Sequence, residues 1–259
     1  MIPDILAKIV EDKKPEVEEL KGQMAFEQWM ENAGDTPSPR NLIKKLRDES
    51  FSIIAELKKA SPSKGILCPD FDPVKLAHVY NDTGASAISV LTESNYFLGN
   101  RDYLVEVKNE VPLPLLRKDF IFDVIQIPES RILGADALLL ITALLDQKIL
   151  EEMINLTTDL EMTPLVEVHD EKEMERALNA GAELIGINNR NLHTFEVSVE
   201  TTFRLLNMIP EGVTIISESG INSIEIVERL KSEGVHGILV GEHFVTSPNP
   251  DESLKGLII

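Results

Sequence analysis

Short apolar runs alternate with longer amphipathic stretches over most of the chain. The apolar runs consist mainly of Val, Ile, Leu and Ala without a strict in–out alternation, which is typical of parallel strands buried on both faces of a sheet. They predict strands at Ser52–Lys58, Ala87–Thr92, Leu113–Lys118, Ala137–Thr142, Pro164–Val168, Leu184–Asn188, Val213–Ser217 and Gly237–Gly241.

Amphipathic helices are predicted between these strands, and several have clear start or stop residues, such as Asp170 before one helix and Gly181 after it. The predicted helices are Pro73–Asp82, Gln147–Leu160, Glu171–Ala180 and Ser223–Glu233. Eight strand–helix units in roughly 210 residues predict a (β/α)8 TIM barrel, which typically takes about 250 residues. A doubly wound open sheet is the alternative. It usually has fewer strands and a glycine-rich first turn, which is absent after Lys58.

Residues 1–48 precede the first strand and lie outside this repeat. Pro15 is well placed to open a second helix, and the Pro-containing segment 35–39 predicts a linker to a short helix at Asn41–Glu49. A first helix is indicated by an apolar stripe of Ile5, Leu6, Ile9 and Val10. We expect one barrel domain over residues 1–259, with 1–48 as an N-terminal helical extension and 49–259 as the barrel.

Composition excludes several classes of function. The net charge of −19 argues against non-specific binding to nucleic acid, although a few basic residues can still make one cleft attractive to a small anion. No apolar run is long enough to cross a bilayer and no signal-peptide core is present, so a cytoplasmic protein without membrane partners is expected. Cys68 is the only cysteine, which excludes an intrachain disulfide and a thiolate metal site.

Polar residues recur where the predicted strands end. Glu56 and Lys58 are two positions apart, so on a strand their side chains point to the same side, next to a Ser/Pro/Gly loop. An isolated Glu-x-Lys is ordinarily a surface salt bridge. Here, further polar residues follow other strands: Arg117, Lys118, Asp119, Glu167, Asn188, Arg190, Ser217, Glu218 and Ser219.

The carboxyl ends of all strands in such a barrel meet at one rim, where chemistry is placed. Charged groups gathered there are costly unless they pair with each other or with a ligand. Lysines and glutamates in a shared, partly desolvated pocket have shifted pKa values and can act as general acids and bases near neutral pH. We therefore expect an acid–base site at this rim, with residues 1–48 packed across it.

Two glycine turns after consecutive strands indicate a phosphate site. Ser219-Gly220 follows the seventh predicted strand, and Gly241-Glu242 follows the eighth. Backbone N–H groups in such turns bind anions, and the loops after these strands form the usual phosphate site of this barrel. Ser61 in the first loop can add a hydroxyl donor. The expected partner is a small anionic substrate.

Motifs for a bound metal or nucleotide are missing. No two histidines have the spacing of metal ligands on a helix, and the P-loop, the dinucleotide fingerprint and the G-x-S-x-G elbow are absent. His169 is interpreted as a loop residue near the site without a role. The sequence thus predicts acid–base chemistry with no metal and no cofactor.

The motifs I-I-A-E-x-K-x-x-S-P-S, L-x-R-K-D-F-I, G-A-D-A-x-L-L-I, L-V-E-V-H, I-G-I-N-N-R-N-L, S-E-S-G-I and L-V-G-E occur in this order along the chain. From Met1 to about residue 250 the chain resembles indole-3-glycerol-phosphate synthases, metal-free lyases of tryptophan biosynthesis. The resemblance implies conversion of 1-(2-carboxyphenylamino)-1-deoxyribulose 5-phosphate into indole-3-glycerol phosphate, carbon dioxide and water. A monomer or a weak homo-oligomer is expected.

The resemblance also implies roles for residues at matching positions. Lys118 matches the lysine that protonates the ribulose carbonyl as the ring carbon attacks. Lys58 matches a lysine that pairs with the anthranilate carboxylate and serves as an acid in the later dehydration. Glu167 matches the candidate general base, which also stabilises positive charge developing on nitrogen. Glu56 and Asn188 match residues that hold the sugar hydroxyls and the aniline nitrogen.

Ser219 completes the implied catalytic set. The implied substrate-binding residues are Ser61, Arg190, Glu218, Gly220, Gly241 and Glu242. Three positions depart from the family pattern. Glu242 replaces a small residue, so only its backbone N–H is expected to face the phosphate. Pro128 replaces an aromatic residue and is expected to disturb hydrogen bonding in the first turns of its helix. Lys64 in the first loop can alter closure over the substrate.

Two other functions stay open. A sugar-phosphate isomerase of the phosphoribosylanthranilate isomerase type shares the barrel and the phosphate site, but it uses a Cys/Asp pair, and Cys68 lies in a loop rather than on a strand. A non-catalytic barrel that binds a phosphate ligand needs no acid–base set. The present chain retains such a set in Glu56, Lys58, Lys118, Glu167 and Asn188.

Overall fold

A closed barrel of eight parallel strands forms the centre of the computed structural model, which describes residues 3–259. The strands are β1 Ser52–Leu57, β2 Ala87–Leu91, β3 Leu115–Lys118, β4 Ala137–Ile141, β5 Thr163–Val168, β6 Leu184–Asn188, β7 Thr214–Glu218 and β8 Gly237–Val240. β1 pairs with β2 on one side and with β8 on the other, which closes the sheet. The predicted (β/α)8 barrel is confirmed, and the predicted strand ends differ from the observed ones by at most two residues.

Helices precede the barrel, connect its strands and follow the last one. They are α1 Asp4–Gln23, α2 Phe26–Gly34, α3 Leu42–Asp48, α4 Pro73–Thr83, α5 Asp102–Glu110, α6 Gln126–Ile132, α7 Gln147–Asp159, α8 Glu171–Asn179, α9 Glu200–Leu206, α10 Ile224–Ser232, α11 Glu242–Val245 and α12 Pro250–Lys255. Two further short elements are a 3₁₀ turn at Thr142–Leu144 and, after β1, a small antiparallel pair of Ala60–Ser61 with Gly65–Ile66.

Side-chain caps explain where several of these helices begin. Asp72, Asp146 and Asp170 each accept a hydrogen bond from the backbone N–H three residues later, at the starts of α4, α7 and α8. Asn41 does the same at the start of α3. A cap of this kind satisfies one of the N–H groups that the first turn of a helix leaves free, and it depends only on neighbouring residues.

The expectation that Pro15 opens a second helix is wrong, because α1 continues through it. One buried stripe at helical spacing runs along the whole of α1: Leu6, Ile9, Lys13, Val17 and Leu20. Pro15 falls on the exposed side of this stripe. The carbonyl that loses its helical partner there can bind water, so packing of the stripe outweighs the local preference to break the helix.

Pro128 does not have the expected effect either. It is the third residue of α6, in the first turn, where backbone N–H groups have no partner within the helix. The carbonyl of Val124 instead accepts the N–H of Ile127 at 3.2 Å. The helix therefore accommodates the proline without losing a hydrogen bond of its regular ladder.

The segment before β1 reaches both ends of the barrel, not only the expected rim. In α1, Leu6 and Ile9 lie over the carboxyl-terminal end of the strands, in contact with the same apolar cluster as Phe120. By contrast, α3 lies at the opposite end, where Arg47 donates hydrogen bonds to Thr214 Oγ1 at 2.8 Å and to the Gly212 carbonyl at 2.7 Å. The division of one domain into an extension (1–48) and a barrel (49–259) stays a prediction.

Most of the core lies between the outer face of the barrel and the surrounding helices. A second cluster fills the barrel itself with side chains such as Ile54, Leu116, Leu165 and Ile216, all fully buried. This interior packing leaves room for a site only at the strand ends. Within the part of the chain that is described, no helix is long and apolar enough to cross a membrane.

Candidate active site

A cavity of about 580 Å³ opens at the carboxyl ends of the barrel strands. All of the predicted site residues line its walls. They come from β1, β3, β5, β6 and β7 and from the loops after β1, β6, β7 and β8. The apolar side of the cavity includes Ile5, Leu6 and Ile9 of α1 together with Phe120, so α1 forms part of the wall.

Lys118 lies at the centre of the charged part of this cavity. Its Nζ is 2.8 Å from Glu167 Oε2 and 2.6 Å from Glu218 Oε2, and only 13% of its side chain is exposed. Burial by itself lowers the pKa of Lys118, but the carboxylates of Glu167, Glu218 and Glu56 raise it well above its usual value. Lys118 is therefore a buried ammonium group bound between two carboxylates.

Glu56 and Lys58 form the second charged pair, as their spacing on the strand predicts. Lys58 Nζ lies 2.5 Å from Glu56 Oε1, and the glutamate is nearly buried whereas 18% of the lysine side chain is exposed. Lys58 is thus more accessible than Lys118. It can exchange its bond with Glu56 for one with an anionic ligand at a smaller desolvation cost than Lys118.

The two carboxylates next to Lys118 differ in charge state. Burial alone would raise the pKa of Glu167, but Lys118 and His169 hold that pKa below its usual range. Burial, opposed by Lys118 and assisted by the charge of Glu167, raises the pKa of Glu218 to about 7. Two buried carboxylates that share one cation do not ionise equally easily. At neutral pH the site therefore holds an ionised Glu167 beside a Glu218 that can take up or release a proton.

Close backbone approach makes room for these carboxylates. A Cβ atom at Gly186 would overlap Glu218 Oε1, and one at Gly241 would overlap Glu56 Oε1. Gly186 occupies the middle of β6, where a glycine often marks such an approach. Glu218 Oε1 is buried and accepts no hydrogen bond from any residue in the range 3–259. An unsatisfied acceptor of this kind is available to a ligand.

The loop after β6 carries the predicted residues Asn188 and Arg190. Asn188 Oδ1 accepts the backbone N–H of Arg190 at 3.0 Å, which fixes the turn out of the strand. The guanidinium of Arg190 makes a long 3.4 Å hydrogen bond to the Phe195 carbonyl. Both residues line the cavity, and Asn188 is the last residue of β6.

The predicted phosphate residues lie along one wall of the cavity. Ser219 and Gly220 have φ angles of 68° and 79°, a left-handed pair that is unusual for serine. Ser61 Oγ is buried without a hydrogen-bond partner in the described chain. The carboxylate of Glu242 contacts Lys64 Nζ at 2.5 Å. These two residues both depart from the family pattern, and they form an ion pair with each other.

Arg117 and Ser217 do not have the position that sequence reasoning gave them, and Asp119 borders the cavity but has its carboxylate bound by Arg117 and Lys13. Arg117 is fully buried on the helix side of β3, where it binds Glu129 of α6. Asp119 binds Arg117 at 3.0 Å and Lys13 of α1 at 3.2 Å. Ser217 faces α9 and contacts Thr202 Oγ1 at 2.7 Å. Alternation along each strand explains this result, because neighbours of an inward-facing residue must face outward.

Sequence reasoning assigns no role to His169, but the structure places it beside Glu167. It follows β5 two residues after Glu167, and its Nε2 is 3.3 Å from Glu167 Oε1. The only sequence signal was this spacing of two, which places both side chains on the same side of the strand.

Among residues 3–259, no three His, Cys, Asp or Glu side chains form a group that could hold a metal ion.

Comparison with known proteins identifies relatives over nearly the whole length of the chain. A profile of the family "Indole-3-glycerol phosphate synthase" matches residues 6–257. A protein of that name from Desulforamulus reducens is 46% identical over 257 residues, covering 98% of this chain and 97% of the relative. One from Thermoanaerobacter pseudethanolicus is 48% identical over 241 residues, covering 93% and 92%.

Solved structures with low sequence identity share the fold. KGPDC from Streptococcus mutans matches with a TM-score of 0.61 and 12% identity, over 80% of this chain and 95% of that one. For 3-hexulose-6-phosphate synthase from Salmonella typhimurium the TM-score is 0.63 and the identity 15%, over 80% and 96%. At these identities the likeness shows the barrel fold alone.

Proposed function

The chain belongs to the indole-3-glycerol phosphate synthase family, and we propose that the cavity at its strand ends is where the indole ring closes. The reaction converts 1-(2-carboxyphenylamino)-1-deoxyribulose 5-phosphate into indole-3-glycerol phosphate, carbon dioxide and water. The ring carbon that bears the carboxylate attacks the ribulose carbonyl carbon, whose oxygen takes up a proton. Loss of carbon dioxide from that ring carbon restores the aromatic benzene ring. The new hydroxyl then takes a proton from an acid and departs as water, while a base removes a proton from the ribulose carbon bonded to nitrogen, which completes the indole.

The position of Lys118 is the observation that carries the proposal. A general acid must be protonated before it reacts, and the carboxylates around Lys118 keep it so at neutral pH. After the proton moves to the carbonyl oxygen, the neutral amine remains beside Glu218, whose pKa of about 7 suits it to return a proton. Lys118 therefore acts as the acid in ring closure.

Glu167 is the proposed base and the stabiliser of positive charge on the substrate nitrogen. Its ionised carboxylate lies next to Lys118, so acid and base flank the same point in the cavity. A carboxylate with a lowered pKa is a weak base but a strong electrostatic partner. We therefore assign the larger part of its effect to stabilisation of the cationic intermediate.

Lys58 is the proposed partner of the substrate carboxylate and the acid for dehydration. Its partial exposure and its pairing with Glu56 support this assignment, since an incoming carboxylate can replace Glu56. Glu56 is then free to accept hydrogen bonds from the sugar hydroxyls, together with Asn188. Ser219 joins the catalytic set through its position directly after Glu218.

The phosphate is proposed to lie between the turns after β7 and β8. Ser61 Oγ, the backbone of Gly220 and Gly241 and the side chain of Arg190 supply donors along that wall. Only the backbone N–H of Glu242 is assigned to this site, since its carboxylate binds Lys64. Crystals soaked in inorganic phosphate test the placement, and an anion bound at the amino-terminal end of the barrel would contradict it.

A fluorescence assay for the indole product, with the purified chain and the ribulose phosphate substrate, tests the function directly. Borohydride added during turnover tests the role of Lys118, because a Schiff base between a lysine and a carbonyl would be trapped as a covalent adduct. We expect product without an adduct. A stoichiometric adduct would replace acid–base chemistry with covalent catalysis, and absence of product would remove the function.

Neither rival function is favoured by an observation. A phosphoribosylanthranilate isomerase-like mechanism needs a cysteine in the cavity, and Cys68 is not among the described residues that line it. A binding barrel would not need the Lys118 cluster. We also propose a cytoplasmic enzyme that is a monomer or a weak homo-oligomer, in keeping with the expectation from the sequence.

A further inference from the structure

His169 links the proposed base to the first turn of a helix. Its Nδ1 is 2.9 Å from Glu173 Oε2, and the same oxygen accepts the backbone N–H of His169 at 2.9 Å. Glu173 is itself fixed, because its N–H donates to the capping carboxylate of Asp170 at 2.8 Å. The ring is thus fixed on its outer side by α8, while its inner nitrogen faces Glu167.

The imidazole lies between two carboxylates and carries a positive charge. Burial lowers the pKa of His169, but the nearby carboxylates of Glu167 and Glu173 raise it above its usual range. Glu167 is in turn faced by Lys118 of β3 and by Glu218 of β7. Each oxygen of Glu167 therefore has its own cation, with Lys118 at Oε2 and His169 at Oε1.

His169 makes a hydrogen bond to Glu173 but none to Glu167. His169 Nε2 is buried and lies 3.3 Å from Glu167 Oε1, outside the geometry of a hydrogen bond and without another partner among residues 3–259. A residue that served only to start α8 would need its outer contacts alone. The Nε2–H of His169 can form a hydrogen bond with Glu167 when Lys118 interacts with a bound substrate instead.

We propose that His169, held as an imidazolium by Glu173, is a positioning residue that fixes Glu167 and balances its charge when Lys118 turns to the substrate. The inference rests on the proposed function, since Glu167 matters here as base and stabiliser. Because the imidazolium helps Lys118 to keep Glu167 ionised, it also contributes to the acidic limb of the pH–rate profile.

Two variants separate charge from shape. In His169→Asn the amide nitrogen can replace Nδ1 and keep the hydrogen bond to Glu173. In His169→Gln the amide nitrogen can replace Nε2 and reach Glu167 without carrying a charge. We expect kcat to fall roughly 10- to 100-fold in the Asn variant, since loss of position near 1 Å can cost about 100-fold. The Gln variant should lose less at high pH, and its acidic limb should move to higher pH. KM should change less than kcat in both.

His78→Gln is the matched control, because His78 Nε2 also lies 3.3 Å from a carboxylate oxygen, that of Glu110, but on exposed helices away from the cavity. It should keep the kcat and the pH profile of the wild type. Folded His169 variants with wild-type kcat and pH profile would overturn the inference. The proposed function fails separately, if the wild-type chain gives no indole product.

A titration of the wild-type chain avoids any effect of the variants on folding. With ¹⁵N-labelled histidine, the NMR signals of the His169 ring should stay those of an imidazolium through neutral pH. A neutral His169 ring at neutral pH would overturn the proposal, whatever the variants show.

Discussion

Two charge networks meet at the end of β3, on opposite sides of the strand. Lys118 faces the cavity, where it binds Glu167 and Glu218. Its neighbours Arg117 and Asp119 face α1 and α6 and are completely buried. Consecutive residues of the same strand therefore belong to different networks, one inside the barrel and one outside it.

The outer network is fully satisfied. The guanidinium of Arg117 donates to Thr92 Oγ1 at 3.2 Å, to Glu129 at 2.7 Å, to Ser130 Oγ at 2.9 Å and to Asp119 at 3.0 Å. The inner network instead leaves Glu218 Oε1 and His169 Nε2 without hydrogen bonds in the described chain. Complete pairing fits a role in holding the strand, whereas unpaired buried atoms fit a site that a ligand completes.

The largest effect is expected from Arg117→Met. Removing one member of a buried ion pair leaves its partners uncompensated, so the free energy of unfolding should fall by about 3–5 kcal/mol. Urea unfolding measures this loss, and kcat should be measured on the fraction that remains folded. Arg204→Met is the matched control, because Arg204 and Glu171 form an ion pair with both side chains about half exposed. It should cost roughly 0–1 kcal/mol.

Lys118→Met should lower turnover strongly and should lower the free energy of unfolding less than Arg117→Met does. Loss of the proposed acid should lower kcat at least roughly 100-fold. Stability should change less than in Arg117→Met, because Glu218 can become protonated once its cation is gone. The indole assay and urea unfolding measure the two effects. Near-normal turnover in Lys118→Met, or a loss of stability equal to that of Arg117→Met, would remove the distinction between the networks.

Features that depend on neighbouring residues could be predicted from the sequence. The strands follow from their apolar composition, and the start of α8 from Asp170. The cavity residues follow from position at strand ends, although their roles stay predictions. Strict alternation from Lys118 would also have placed Arg117 on the outside, and Gly186 between two isoleucines was an unused sign of close backbone approach.

Features that depend on distant parts of the chain could not be predicted in this way. The helix passes through Pro15 because a stripe on α1 packs along the barrel, which no local signal reveals. The contact between Lys13 and Asp119 joins residues far apart in sequence. Each of these results needed the tertiary packing.

Lys13→Met tests whether α1 connects the two networks. Lys13 is buried and binds Asp119, next to Lys118, so its loss should lower the free energy of unfolding by about 1–3 kcal/mol. Turnover should fall less than in Lys118→Met, because a looser α1 admits water to the cavity without removing the acid. Lys14→Met, at an exposed pair with Glu11, is the control. Full activity in a destabilised Lys13→Met would make α1 a structural element only.

The smallest expected effect is an opposite pH dependence of stability in the two networks. Burial raises the pKa of Asp119, but Lys13 and Arg117 lower it more, to below its usual 3.8. Asp119 therefore stabilises the fold above that value and loses this contribution as the pH falls through its folded pKa. Glu218 has its pKa raised from 4.5 to about 7, chiefly by burial. Its contribution is present below 4.5 and is lost as the pH rises toward 7.

Asp119→Asn and Glu218→Gln separate these contributions. Relative to the wild type, Asp119→Asn should be most destabilised at neutral pH, and the difference should shrink as the solution becomes strongly acidic. Glu218→Gln should gain stability relative to the wild type as the pH rises from 4.5 to 7. Urea unfolding across this range measures both. If both differences change in the same direction with pH, the inner carboxylate is held ionised like the outer one, and Glu218 cannot return a proton to Lys118 at neutral pH.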